Sequence, residues 1–239
     1  MTSAATANSL GDLAARWHAV DDRLRRAVEE HGRAAGSAAL VAASKAQPVD
    51  RIRALAALGQ RRFGENFVQE ARLKMDACAD LDLEWHFIGA LQGNKAAQVA
   101  RHFDWVHTVA SLPVAARLSR ARGTERPPLN VCVQVNIDGE ASKAGVAPQD
   151  VAGLARAVAD LPGLRLRGLM TLPAPAGELD AQRRPFRALR EALDRLRGQG
   201  LPLDTLSMGM SADLEAAIAE GATLVRVGTA LFGPRPTRR

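Results

Sequence analysis

Apolar residues between Leu10 and Arg33 recur at helical spacing, with Leu13, Trp17, Val20, Leu24 and Val28 on one stripe. Gly36 breaks that pattern. Beyond it, short apolar runs alternate with longer amphipathic segments. The runs fall at 38–44, 61–65, 84–88, 105–108, 129–136, 164–170, 205–207 and 223–227. Helical patterns between them open near Pro48, Phe67, Lys95, Pro113, Pro148, Gln182 and Ser211. The second and fourth runs are only weakly apolar. Strict alternation of strand and helix predicts a parallel sheet with right-handed crossovers. Eight units in 239 residues match a closed α/β barrel, the (β/α)₈ or TIM barrel, which needs about 250. No G-x-G-x-x-G turn favours an open dinucleotide-binding sheet. The expected organisation is a tail over residues 1–9, taken as disordered, and one barrel domain over 10–239 with an extra N-terminal helix. The segment Leu172–Gly177 reads as a loop within that barrel.

Composition narrows the classes. Hydrophobic residues make up 47% and charged residues 24%, ordinary for a globular protein. No apolar run nears the ~18 residues that span a bilayer, and the N-terminus lacks a signal-peptide pattern. Two cysteines, Cys78 and Cys132, stand at no metal-like spacing, which favours a reducing, cytoplasmic setting. The net charge is +6, but basic residues are dispersed apart from Arg235, Arg238 and Arg239. There is no Tyr, and Phe and Trp do not interleave with the basic residues. Nucleic acid is therefore not the expected partner. Of 32 basic residues only four are lysines: Lys45, Lys74, Lys95 and Lys143. Lysine can form an imine and arginine cannot, so these positions deserve separate reading.

Barrel enzymes and binding proteins use the carboxyl ends of their strands. Here those ends carry Ser44-Lys45, Glu65-Asn66, His86 to Gly89, His107-Thr108, Asn136, Met170-Thr171, Ser207 and Arg226 to Thr229. Period-2 alternation puts Lys45 on the face of Ala39, Val41 and Ala43. If that face is interior, the amine reaches the mouth; the alternative is a strand-end lysine with its charge in water. The stretch Ser207 to Ser211 and the turn Val227-Gly228-Thr229 have the makings of a phosphate site. Gly209 and Gly228 admit close backbone approach, and Ser207 and Thr229 add hydroxyls. Ser211 reads equally as a helix N-cap. Asp213 and Glu215 must then point away from a bound dianion. Arg226 lies inside an apolar strand and needs partners. These are either an interior carboxylate or the ring nitrogen of a bound pyridine cofactor.

These segments together carry a family resemblance. They are Val41 to Lys45, Phe63 to Glu70, Trp85 to Gly89, Leu91 to Lys95, Val135 to Ile137 with Ser142 to Gly145, Arg167 to Met170, and Leu206 to Ser211 with Val225 to Thr229. In that order they resemble the pyridoxal phosphate homeostasis proteins, also called the proline synthetase co-transcribed family. The resemblance implies a lone barrel similar to the N-terminal domain of alanine racemases. It implies pyridoxal 5′-phosphate held as a lysine Schiff base, a role in vitamin B6 homeostasis, and no robust catalysis. By position, Lys45 resembles the imine-forming lysine, Asn66 the residue beside the ring, and Arg226 the partner of the pyridine nitrogen. Ser207, Gly228 and Thr229 resemble the phosphate contacts. Ala46 and Gly93 replace a common Thr and Ser. The expected partners are pyridoxal phosphate and apo-enzymes that receive it, and the expected state is a cytoplasmic monomer. Two enzymatic alternatives use the same lysine: an amino-acid racemase and a Schiff-base aldolase. A racemase needs an acid or base on each face of the α-carbon. The tyrosine that serves one face in alanine racemases has no counterpart, since this chain has no Tyr.

Overall fold

A computed structural model describes residues 2–140 and 144–233. Its eight parallel strands close into a barrel in chain order. They are β1 (Ala39–Ala43), β2 (Arg62–Glu65), β3 (Glu84–Phe87), β4 (Trp105–Val109), β5 (Leu129–Gln134), β6 (Leu164–Met170), β7 (Thr205–Ser207) and β8 (Leu224–Val227). Each strand follows the expected run to within a residue or two. The helices are α1 (Thr2–Glu30), α2 (Val49–Ala57), α3 (Val68–Ala77), α4 (Ala96–His102), α5 (Leu112–Arg122), α6 (Val151–Ala159), α7 (Leu179–Gly198), α8 (Leu214–Ala219) and α9 (Thr229–Phe232). Helix α1 takes in most of the segment read as a tail. Alanine-rich sequence before Leu10 lets the helix propagate toward the N-terminus.

Helix α1 has a structural task. Its apolar stripe, Leu13, Val20, Leu24, Ala27 and Val28, is buried against α2, α8, α9 and β1. Among the described residues the last strand is followed only by the single turn α9, and α1 covers the seam where β8 meets β1. Trp17 and Arg23 fasten it, Trp17 Nε1 to Gln60 Oε1 at 3.4 Å and Arg23 to Glu215 at 2.8 Å. At the seam Ala39, Leu40, Val41 and Ala42 pair with Leu224, Val225, Arg226 and Val227. Closure thus sets the first and last strands side by side.

The core has two parts. The larger lies between the sheet and its helices, where α7 contributes Phe186, Leu189, Leu193 and Leu196. The smaller fills the barrel with Val41, Trp105, Cys132, Met170 and Leu224, against which Ala39 packs. Ala39 and Val41 therefore face inward, the face on which the sequence places Lys45. The interior also holds polar residues: His86, His107, Ser207 and Arg226 are all buried. This explains the weak fourth run, where His107 takes an inward position. In β2 the inward position is Gly64, whose added β-carbon would meet Ile88 at 2.7 Å and Val41 at 3.1 Å.

Candidate functional site

Closure assembles one end of the barrel from both ends of the chain. Lys45 lies two residues beyond β1, half-buried, in a turn. Gly228 and Thr229 follow β8, the strand paired with β1, and a β-carbon on Gly228 would stand 3.5 Å from Ala43 Cβ. Asn66 follows β2 directly. It is pinned from behind, because a β-carbon on Gly89 would lie 2.4 Å from the Asn66 carbonyl oxygen. Thr108 Oγ1 donates to Gly89 O at 2.7 Å and holds that turn in place. The Asn66 side-chain oxygen is buried without a hydrogen-bond partner among the described residues. An open buried acceptor in a mouth is costly unless something binds there.

Arg226 sits in β8 with its guanidinium in the interior. It donates to Ser207 Oγ at 2.5 Å and to the Thr171 carbonyl at 2.9 Å. It makes no ion pair with a carboxylate among the described residues, which leaves donors for a further partner. Burial brings its pKa down to about 10, so it stays a cation at neutral pH. Ser207 is fully buried, and its hydroxyl also meets His107 Nδ1 at 2.6 Å. His107 Nε2 lies 2.8 Å from His86 Nδ1, and His86 Nε2 lies 2.8 Å from Glu84 Oε1. Burial keeps both imidazoles neutral, and the ionised carboxylate of Glu84 can only accept. His86 therefore donates from Nε2 to Glu84, His107 from Nε2 to His86, and Ser207 donates to His107 Nδ1. Burial lowers the pKa of His86 and, far more, that of His107, where His86 and Arg226 add to the effect. Burial opposes the charge of Glu84, but the hydrogen bond from His86 and the neighbouring Arg62 bring its carboxyl down to about 2.

This chain predicts an acid sensitivity. A histidine whose folded pKa is depressed contributes stability above its unfolded pKa, near 6.5, that is lost as pH falls through the folded value. The urea midpoint should therefore drop between pH 7.5 and pH 5, and the drop should shrink in His107→Gln. An equal drop in both proteins would exclude the buried histidines as its source.

The phosphate-site candidates are arranged unevenly. Ser207 turns its hydroxyl into the barrel, because its strand position faces inward, and so serves Arg226 and His107. Gly209 has φ +91°, and a β-carbon there would meet Ala217 Cβ at 2.5 Å. Ser211 is not the N-cap of α8, a place taken by Asp213. Its hydroxyl instead accepts from the Ala230 amide at 3.2 Å and so ties the loop after β7 to α9. Asp213 Oδ1 accepts from the Met210 amide at 2.6 Å, which directs its charge into its own turn. Lys95 ends a short 3₁₀ turn, Gly93–Lys95, and lines a cleft of about 330 Å³ with Asn66, Phe67 and Gln92. Lys143, Arg235, Arg238 and Arg239 lie outside the described residues.

The sequence gives no role to the cluster behind Lys45. Lys74 is buried on α3 and donates to Ser44 O at 2.7 Å, Glu65 Oε1 at 2.7 Å and Glu70 Oε1 at 2.6 Å. The signal was present as the Glu70–Lys74 spacing of four, but one helical ion pair does not reveal a buried third partner. Among the described residues no group of His, Cys, Asp and Glu is arranged to hold a metal ion, and no helix is long and apolar enough to cross a membrane.

Comparison with known proteins agrees with this fold. The family model described as the alanine racemase N-terminal domain matches residues 18–236. A pyridoxal phosphate homeostasis protein of Pseudomonas aeruginosa is 55% identical over 89% of this chain and 91% of its own length. One from Escherichia coli is 47% identical over 95% and 98%. The PipY protein of Synechococcus elongatus, solved with PLP bound, superposes with a TM-score of 0.77 at 38% identity, covering 88% of this chain and all of that one (100%). Alanine racemase of Corynebacterium glutamicum, at 23% identity and TM-score 0.66, shares the fold. This chain covers 90% of itself but only 61% of that enzyme. The chain belongs to the pyridoxal phosphate homeostasis protein family, on the barrel fold of the alanine racemase N-terminal domain.

Proposed function

We propose that this protein binds pyridoxal 5′-phosphate through Lys45 and holds it for vitamin B6 homeostasis, without sustained turnover. The observation that carries this reading is Gly228. Its φ is −117°, outside the left-handed region that requires glycine, and its added β-carbon would make only an ordinary 3.5 Å contact with Ala43. The fold tolerates alanine there, so a glycine keeps room for a ligand beside Lys45. Gly228 and Thr229 would hold the phosphate, with Ser207 acting through Arg226. Arg226 would face the ring nitrogen, and the open oxygen of Asn66 would meet a donor beside the ring. When bound, the cofactor supplies an aldehyde that condenses with the lysine amine, releasing water. A cation facing the ring nitrogen would disfavour protonation there and weaken the ring as an electron sink.

The side chains around the mouth support holding over racemisation. The chain has no Tyr. His86 and His107 are buried and spent on each other. Burial pushes the Cys132 thiol up to about 12, far from a usable thiolate. Both cysteines are free and buried, which suits a reducing cytoplasm. A holding role implies apo-enzymes as recipients, served by a monomer whose mouth stays open.

Borohydride reduction of the loaded protein followed by peptide mapping tests the assignment. The expected result is a single reduced adduct on the peptide containing Lys45. An adduct confined to Lys74, Lys95 or Lys143 overturns it.

A further inference from the structure

Lys74 is one of four lysines in a chain with 32 basic residues, and its surroundings explain why arginine does not stand there. Three acceptors converge on its ammonium: Ser44 O, Glu65 Oε1 and Glu70 Oε1, all within 2.7 Å. An ammonium has three donors on one atom and satisfies all three acceptors. A planar guanidinium in the same buried space would have to spread five donors over that one point.

The acceptors also frame Lys45. Ser44 precedes it, and besides receiving the Lys74 bond at its carbonyl, Ser44 donates its hydroxyl to Glu65 Oε1 at 2.6 Å. Its amide bonds Gly64 O at 2.9 Å, and its carbonyl also accepts from Gln47 N at 2.9 Å. Ala46 follows Lys45 and donates its amide to Glu70 Oε1 at 2.6 Å. Ala46 has φ +59° and is the only non-glycine residue with positive φ among those described. A residue bearing a β-carbon holds that conformation only when its surroundings impose it. Glu70 supplies the imposing bond, and Lys74 fixes Glu70. The residues on both sides of Lys45 are therefore set by one buried ammonium. Burial raises the Glu65 pKa against the pull of Lys74, as expected for a carboxylate enclosed with a single cation.

We propose that Lys74, acting with Glu65 and Glu70, is a positioning residue that sets the place from which the Lys45 amine meets the aldehyde of its ligand. This rests on the reading of Lys45 given above. A purely structural role would weaken every ligand of the mouth alike. A positioning role weakens only the ligand that must react with Lys45.

The test compares pyridoxal 5′-phosphate with pyridoxine 5′-phosphate, which has the same ring and phosphate but an alcohol in place of the aldehyde. Dissociation constants for both, and the rate at which the lysine-linked absorbance develops, are measured on the full chain and on Lys74→Met and Lys74→Arg. In both variants, affinity for the aldehyde and the linkage rate are expected to fall at least tenfold. Affinity for the alcohol should change less than twofold. Glu70→Gln, which keeps an acceptor in a half-exposed position, should show the same selectivity at about threefold, and it serves if the Lys74 variants do not fold. Equal losses for both ligands, or full rescue by Lys74→Arg, overturn the proposal. A wild-type protein that binds aldehyde and alcohol equally well overturns the reading of Lys45 itself. A wild-type preference for the aldehyde that Lys74→Met leaves intact overturns the positioning role alone.

Discussion

Lys45→Ala is expected to abolish covalent retention of pyridoxal phosphate and to cut its affinity at least a hundredfold, about 2.7 kcal/mol. The other proposed contacts, Gly228, Thr229, Asn66 and Arg226, would still bind the phosphate and ring, but without a bond to hold them. The substitution itself is mild. Lys45 lies half-buried in a turn beyond β1, and Ala46 and Ser44 keep their own bonds to Glu70 and Lys74. The unliganded variant should melt near the wild type. What shrinks is the rise in melting temperature that a fixed ligand concentration gives a protein binding it only when folded. Absorbance after gel filtration and melting with and without ligand measure both. A variant that emerges still carrying lysine-linked absorbance would place the linkage on another residue.

Gly168→Ala should have the largest effect on stability, about 3–5 kcal/mol. Gly168 pairs with Thr205 across β6 and β7. A β-carbon at 168 would stand 1.8 Å from the Thr205 carbonyl oxygen and 2.7 Å from its carbon. Those are backbone atoms, and no rotamer relieves them. Strand β7 has only three residues, so displacing Thr205 displaces Ser207, and with it the hydroxyl that receives Arg226. The urea midpoint and the soluble yield should both fall sharply. A midpoint equal to wild type would mean that β6 and β7 can separate without cost. Gly228 is the useful contrast, since the β-carbon of Gly228→Ala would make only a 3.5 Å contact with Ala43, so its urea midpoint is expected to stay near that of the wild type.

The strands were legible because most are short apolar runs, as expected of parallel strands buried on both faces, and because helices separate them at regular intervals. Lys45, Asn66, Gly228 and Thr229 were legible for a related reason: in a parallel barrel, position at a strand's carboxyl end is itself a spatial coordinate. What the sequence hides is pairing across strands. Nothing local says that Ser207 turns inward to Arg226, or that His86, His107 and Glu84 extend that contact through the barrel. Their polar character even weakens the strand signal of the fourth run. Helix α9 is too short for a period to show, although Gly228 and Gly233 bracket it. Lys74 stood out by residue type, but its meaning depends on Ser44 and Glu65, which β1 and β2 bring to it.

The pairing of β8 with β1 also orders events in time. During synthesis Lys45 leaves the ribosome long before Gly228 and Thr229 are made. With the roles proposed for these residues, a nascent chain would expose the amine with no phosphate site beside it. Loading would then wait for the final strand, and stable capture of the ligand would signal that β1 and β8 have paired.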